Sequence, residues 1–169
     1  MKKEAATRWE SQMSQQRQCN KLEHILSQES DRGAAILGLS YIEEQLGEML
    51  KNFLIESKAS EMLLTRQIST LEARLLLSYS LGLINDDEYH GLDLLRKIRN
   101  DFAHNFVEEL SFDDPQIATR CGILFHDDHF WISGRKVKTN RDKFISSACI
   151  LSRSLLFRVG PEDRIQTRD

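Results

Sequence analysis

The chain has 169 residues, of which 40% are hydrophobic and 29% are charged. This length falls within the usual range of one domain, and the hydrophobic content is sufficient to close a single core. The formal net charge of −3 gives no overall case for nucleic-acid binding, although residues 135–169 carry +5 and the remainder therefore carries −8.

Three isolated cysteines, Cys19, Cys121 and Cys149, lie in different segments without a CxxC pair. An odd total with this spacing argues against a disulfide framework and against a thiolate zinc site, and it fits a reducing cytoplasm. The N-terminus begins with Met-Lys-Lys followed by polar residues, and no run approaches about 18 apolar residues. The sequence therefore predicts a cytoplasmic protein that is neither secreted nor membrane-spanning.

The first helices are predicted from apolar residues at helical spacing. Residues 1–28 are rich in Gln, Glu, Lys and Arg with sparse apolar positions, which predicts an N-terminal amphipathic helix with a thin apolar face. Ser30 is placed to cap a long second helix that reaches Phe53. Residues 54–69 predict a short helix with polar connectors. The positions of the second helix expected in the core include Ile36, Leu39 and Leu46.

The central helix has the strongest pattern in the chain. A preceding helix starts at Ser69 or Thr70, and Gly82 follows it where a left-handed C-terminal cap is favoured. Residues 85–88, NDDE, then form a capping-box pattern with acids where the helix dipole favours them. The central helix is expected to end near Asn105. Its predicted buried stripe consists of Leu92, Leu95, Ile98 and Phe102.

The C-terminal part predicts two more helices and a hairpin. Residues 111–115 resemble a cap with proline in the first turn, and residues 123–132 suggest one small β-hairpin. Thr139 or Asn140 begins the last helix. We therefore expect an all-α, single-domain helical bundle with an N-terminal amphipathic helix at 1–28, a helical domain at 29–160 and a C-terminal tail at 161–169.

The best chemical lead is RNDFAH, residues 99–104, at the end of the central helix. It combines a permanent cation, an amide and the side chain that titrates nearest neutral pH. A structural or ligand-contact role is favoured over a catalytic one. The helix dipole favours His104 near a C-terminus, Arg99 can pair with a neighbouring acid, and Asn100 can cap.

Residues 75–117 resemble the central region of the mannitol operon repressor family. They read LLLSYSLGLINDDEYHGLDLLRKIRNDFAHNFVEELSFDDPQI. The matching features are a helix ending in Tyr-x-Leu-Gly-hydrophobic-Ile, an acidic start with Glu-Tyr, and a Leu-Leu-x-x-Ile-Arg run with His five residues later. The family's later Phe-x-Asp-Asp pattern stands here in the form Ser-Phe-Asp-Asp-Pro. The resemblance implies an all-helical, self-associating transcriptional repressor that lacks a recognisable DNA-binding motif.

Residues 99–104 also resemble the Arg-x4-6-His motif of HEPN domains, all-α modules that include metal-independent ribonucleases acting as dimers. The resemblance implies His104 as the acid/base, Arg99 as the phosphate clamp and Asn100 as an orienting residue. RNA can be cleaved by its own 2′-hydroxyl, so this chemistry needs no cofactor. Because residues five apart lie about 140° apart on a helix, Arg99 must reach round, His104 must lie past the last turn, or a second subunit must contribute.

Two other sites are weaker candidates. Residues 126–129, HDDH, contain metal-ligand types but no third anchor is apparent, so no metal site is predicted. The helices at 71–81 and 86–104 are joined by a short turn as in a helix-turn-helix. The second helix, however, starts with three acids that DNA phosphates would repel, at about 1 kcal/mol or more per badly placed charge. Reading of DNA by this helix is therefore rejected.

Two functions from different classes remain. The favoured one is a transcriptional regulator of the mannitol operon repressor type that acts through protein contacts, as a homodimer, with a regulator or phosphotransfer protein as partner. The alternative is a HEPN-type metal-independent endoribonuclease of the toxin or RNA-processing kind, or an inactive relative, with RNA as substrate. Neither function requires a cofactor, and the sequence leaves open whether the protein is an enzyme.

Overall fold

The computed structural model describes residues 2–105, 109–124, 131–132, 134–156 and 158–166. Within these ranges the chain forms seven α-helices arranged as one all-α bundle, which confirms the predicted fold class. Among the described helices, none combines the length and the apolar character that crossing a bilayer requires. The helices are α1 (Lys2–Gln28), α2 (Asp31–Phe53), α3 (Lys58–Met62), α4 (Leu71–Ser80), α5 (Asp86–His104), α6 (Pro115–Ile123) and α7 (Asn140–Leu155). A π-helical turn (Leu63–Gln67) follows α3, and a 3₁₀ turn (Pro161–Asp163) follows α7.

Four of the helices begin at side-chain caps that the sequence predicts. The Ser30 hydroxyl accepts a hydrogen bond from the Gly33 amide at 3.0 Å, and Thr70 and Thr139 cap α4 and α7 in the same way. Asn85 and Glu88 form a reciprocal capping box at the start of α5, which satisfies two amides that a helix leaves unpaired. Gly82 adopts a φ of +69° after α4, as predicted.

The core forms where α5 packs against α2 and α7. Leu95, Ile98 and Phe102 of α5 are completely buried, and Leu92 is 1% exposed. Leu39 and Leu46 of α2 are buried in the same core, as expected. Phe102, Phe112 and Phe144 form a chain of ring contacts with centroids 5.1 and 4.9 Å apart. The core therefore joins three helices and the segment that precedes α6.

The prediction that Ile36 is buried is wrong. Ile36 is 38% exposed and its neighbour Leu37 is 43% exposed. The small residues Ala34, Ala35 and Gly38 take the buried positions instead, and they let α2 approach its neighbours closely. Leu26 illustrates this approach, because a Cβ added to Gly38 would lie 3.4 Å from its Cδ1 atom.

The prediction of a β-hairpin over residues 123–132 is wrong, because the hairpin that forms pairs Trp131–Ile132 with Arg135–Lys136. Strands β1 (Trp131–Ile132) and β2 (Arg135–Lys136) pair antiparallel, and Gly134 between them has a φ of +77°. Ile123, expected in the first strand, belongs to α6, because Pro115 at the helix start favours helix formation through this stretch. The predicted turn at residues 126–129 lies outside the described residues.

The C-terminal half of α1 and the segment after α7 pack against the bundle. Cys19, Leu22 and Leu26 on the C-terminal half of α1 are buried in the same core as α7. At the other end, the Ile165 amide donates a 2.8 Å hydrogen bond to the Phe53 carbonyl oxygen. The proposed domain boundaries at residues 28/29 and 160/161 stay predictions.

Two arginines on or after α7 connect it to distant helix ends. Arg158 donates to both carboxylate oxygens of Glu88 at 2.7 and 2.5 Å, and also to the Leu83 carbonyl oxygen at 3.0 Å. Arg141 pairs with Asp31 and donates to the Leu26 carbonyl oxygen at 2.9 Å. Burial raises the pKa of Glu88, but hydrogen bonds from Arg158 and the Asn85 amide outweigh it, so the pKa lies below its usual value.

Replacing Glu88 by Gln removes the carboxylate that binds Arg158 and should lower the free energy of unfolding by about 2 kcal/mol at neutral pH. Because the folded-state pKa is lowered, this contribution is complete above the unfolded-state pKa of about 4.3 and is lost as the pH falls through the folded-state pKa. Urea unfolding of wild type and Glu88→Gln from about pH 7 to pH 2 measures this dependence.

Glu61→Gln is the matched control, since Glu61 is exposed on α3, and its change should stay within about 0.5 kcal/mol. A difference between wild type and Glu88→Gln that does not shrink in acid would contradict the assigned role of the carboxylate.

Candidate functional site on helices α4 and α5

The three predicted site residues all lie in the last turns of α5. Arg99 and Asn100 are half-buried, while His104 is exposed and is the last residue of the helix. Among the described residues, none forms a hydrogen bond or an ion pair with the side chains of these three. All three side chains are therefore available for contacts outside this part of the chain.

The geometry of α5 separates Arg99 from His104. Because the helix continues through His104, the two side chains point about 140° apart, whereas Asn100 and His104 lie on one face. The arrangement in which His104 lies past the last helical turn is therefore not present. A joint action of Arg99 and His104 requires Arg99 to reach round the helix or a second subunit to supply the partner. Their catalytic roles stay predictions.

Two other residues of the RNDFAH motif, Asp101 and Phe102, hold the fold together. Asp101 forms an ion pair with Arg120 of α6, and the paired atoms, Oδ2 and Nη1, are both buried. Phe102 is completely buried in the core. After the helix, the Asn105 carbonyl oxygen accepts a hydrogen bond from Arg32 at 2.6 Å. Asp101 and Phe102 thus have structural explanations that need no chemistry.

A second candidate site is the surface formed by α4 and α5, here called the α4–α5 face. Leu76 is 48% exposed and Tyr79 is 41% exposed, one helical turn apart on α4. The Tyr79 ring contacts the Tyr89 ring of α5 with centroids 4.6 Å apart, and its hydroxyl donates to Asp86 at 2.8 Å. The face consists of Glu72, Leu76, Tyr79, Tyr89, Asp93, Arg96 and Asn100.

Ion pairs fix the α4–α5 face. Arg96 bridges the two helices, since it lies 2.7 Å from Asp93 on its own helix and 3.5 Å from Glu72 on α4. Lys97 also pairs with Asp93 at 2.8 Å. Burial raises the pKa of Asp93, but hydrogen bonds from Lys97 and Arg96 outweigh it and hold the pKa below its usual value. Asp93 is therefore ionised at neutral pH, and the face presents paired charges around two exposed apolar side chains.

The sequence pattern predicts the helix before Gly82 but does not identify Leu76 and Tyr79 as an exposed surface. Only Leu71, Leu75 and Ser78 are buried on that helix. The signal was present in the adjacent pair Leu75-Leu76, because two consecutive residues lie about 100° apart on a helix and a short helix with one buried face rarely covers both.

Two other features are separate from this surface. A pocket of about 570 Å³ lies between the end of α2, α3 and the C-terminal segment, and it is lined by Ile55, Leu64 and Arg164 among others. None of the predicted site residues lines it. Among the described residues no three His, Cys, Asp or Glu side chains are grouped so that they could hold a metal ion. The predicted weak candidate at residues 126–129 lies outside those residues.

Comparison with known proteins adds one structural likeness. The chain is similar to a chain of the X-ray structure of the MtlR–HPr complex from Escherichia coli, with a TM-score of 0.60. The similarity covers 81% of this chain and 97% of the other, at 19% sequence identity. No family model matches the sequence, and no match is found among curated proteins.

The likeness establishes a shared fold with the MtlR–HPr structure. At 19% identity the agreement lies in the arrangement of helices, since most side chains differ. It supports the predicted relation to MtlR at the level of the fold, whereas the HEPN resemblance stays a prediction from the motif alone. The surface residues of this chain, including Leu76 and Tyr79, are therefore judged from their own contacts.

Two substitutions in the RNDFAH motif should differ in their effect on the free energy of unfolding. Asp101→Asn leaves the half-buried Arg120 guanidinium without its carboxylate and should reduce the free energy of unfolding by about 2 kcal/mol. His104→Ala removes an exposed side chain and should change it by less than about 0.5 kcal/mol. Urea unfolding followed by circular dichroism compares the two. Equal losses would show that His104 is part of the structural framework.

Proposed function

We propose that this protein is a regulator that acts by binding a protein partner through the α4–α5 face. The observation that carries the proposal is the exposed pair Leu76 and Tyr79 on a surface where Arg96 bridges α4 and α5 through ion pairs. Exposed apolar side chains ringed by charged residues are typical of protein interaction sites. A preformed surface also loses little conformational entropy when a partner binds.

The fold supports a particular class of partner. In the similar structure MtlR is in complex with HPr, so a phosphotransfer protein of the HPr kind is the partner we propose for this chain. The sequence resemblance to the mannitol operon repressor family points in the same direction, to transcriptional regulation through a protein contact.

The start of α5 supports a regulator without a DNA-reading helix. Asp86 accepts a hydrogen bond from the Tyr79 hydroxyl, and Glu88 is held by Arg158. These carboxylates are fixed in the first turn of α5, which is the part of the helix that a helix-turn-helix would insert into the major groove. DNA phosphates would meet fixed negative charges there, so control of transcription by this protein would depend on its partner.

Leu76→Asp places a charge in the middle of the α4–α5 face and should weaken the binding of HPr from the same cell at least about tenfold. Ile123→Asp is the matched control, because Ile123 is 66% exposed on α6, and its affinity should equal that of wild type. Isothermal titration calorimetry gives the three dissociation constants, and circular dichroism checks that each variant is folded.

Two outcomes would contradict the proposal. Wild-type protein that does not bind HPr excludes this partner class. Equal weakening by Leu76→Asp and Ile123→Asp, or by Ile123→Asp alone, excludes the α4–α5 face as the docking site.

A second candidate function is metal-independent cleavage of RNA by His104, Arg99 and Asn100. The observation that favours it is that His104 is exposed and that Asn100 lies on the same side of α5 without a partner among the described residues. An imidazole in this position can exchange a proton with an RNA hydroxyl, and Arg99 from a second subunit could neutralise charge on phosphorus.

If the motif is catalytic, wild-type protein should degrade RNA in the presence of EDTA, and His104→Ala should reduce the rate by about 100-fold. His90→Ala is the control, since His90 is also exposed on α5 but its ring contacts the Asp86 carbonyl oxygen at 2.7 Å. Gel analysis of a mixed RNA pool provides the rates. Inert wild-type protein, or His104→Ala with full activity, would exclude the ribonuclease.

Self-association stays a prediction from the sequence, and α2 supports it. Ile36 and Leu37 are adjacent, and each exposes more than a third of its surface on a helix whose opposite side is in the core. Covering these two side chains with a second copy would remove apolar surface from water. A dimer would also be the means by which Arg99 of one copy approaches His104 of the other.

A further inference from the structure

Two of the three cysteines lie side by side in the core, between α1 and α7. The Cys19 sulfur is 3.7 Å from the Cys149 carbonyl oxygen, and the Cys149 sulfur is 3.9 Å from the Cys19 carbonyl oxygen. Both thiols are free, and the two residues are 3% and 0% exposed. Because each side chain reaches the main chain of the other residue, both sulfurs occupy the same narrow gap between the helices.

The contact between the two side chains shifts their pKa values in opposite directions. A hydrogen bond with Cys149 lowers the pKa of Cys19, and the charge of Arg153 lowers it further against the effect of burial. The same contact with Cys19, together with burial, raises the pKa of Cys149. The lowered pKa of Cys19 favours Cys19 as the nucleophile of the pair.

We propose that Cys19 and Cys149 form a redox site at which a two-electron oxidant such as hydrogen peroxide joins α1 to α7 through a disulfide. The Cys19 thiolate attacks one peroxide oxygen, the O–O bond breaks, and a sulfenic acid forms with release of hydroxide. The Cys149 sulfur then attacks the Cys19 sulfur, the S–O bond breaks and water leaves. In total the two thiols lose two electrons and two protons, and one peroxide molecule becomes two water molecules.

Oxidation of this site would depend on how firmly α1 packs against α7. Because both sulfurs are buried, the oxidant reaches Cys19 only when α1 opens locally from α7, so the reaction should be slower than that of an exposed thiol. Once formed, the disulfide closes a loop between residues 130 apart in sequence and holds α1 in place. The thermal midpoint should then rise by about 5 °C or more, and a reductant should reverse the change.

Intact-mass spectrometry of the native protein treated with hydrogen peroxide tests the proposal. The expected result is a loss of about 2 Da, which is the two hydrogens of the balanced reaction. Trypsin should then release QCNK (residues 18–21) linked to FISSACILSR (residues 144–153). Because the peptide map uses wild-type protein, the result does not depend on whether a cysteine variant folds.

Cys121 provides the internal control. It is also buried, but it lies alone on α6, and burial raises its pKa to about 12. Cys121→Ser should therefore still lose about 2 Da, whereas Cys19→Ala should lose the reaction. Absence of a mass change, addition of oxygen to a single sulfur as the only product, or a linkage that includes Cys121 in the native protein would overturn the proposal.

Discussion

The rotation of α5 about its own axis is set by the burial of one apolar stripe. Leu95, Ile98 and Phe102 are completely buried, and a turn of one residue, about 100°, would bring the stripe to the surface at a cost of several kcal/mol. The same constraint turns Tyr89 and Arg96 towards α4 and the solvent, where they form the α4–α5 face. The surface that we propose to bind a partner is thus a consequence of how the core packs.

Ion pairs at both ends of α5 complete this arrangement. Glu88 is fixed by Arg158 at the start of the helix, and Asp101 is fixed by Arg120 near its end. The first pair connects the start of α5 to the segment after α7, and the second connects the last turns of α5 to α6. Both pairs oppose fraying of the helix ends. A helix held in the middle by packing and at both ends by charge is a rigid support, which suits a surface that recognises another protein without rearranging.

The sequence predicted correctly those features that depend on residues within a single helix. The caps at Ser30 and Asn85 and the stripe of α5 follow from spacing alone, since their partners lie within one or two turns. The prediction that Ile36 is buried was wrong because spacing does not tell which side of a fully apolar stretch faces a neighbour. The small residues beside Ile36 allow close packing, so their side of α2 is the buried one. The contacts of Asp101 with Arg120 and of Cys19 with Cys149 join residues far apart in sequence, so no local pattern predicts them.

Backbone hydrogen exchange with and without HPr from the same cell most directly tests whether the α4–α5 face is the binding surface. We predict that exchange slows in peptides from α4 (Leu71–Ser80) and from the first three turns of α5, with no change in α1 or α6. Protection that appears in α1 or α6 while α4 and α5 exchange as in the free protein would contradict a regulator that acts through this face.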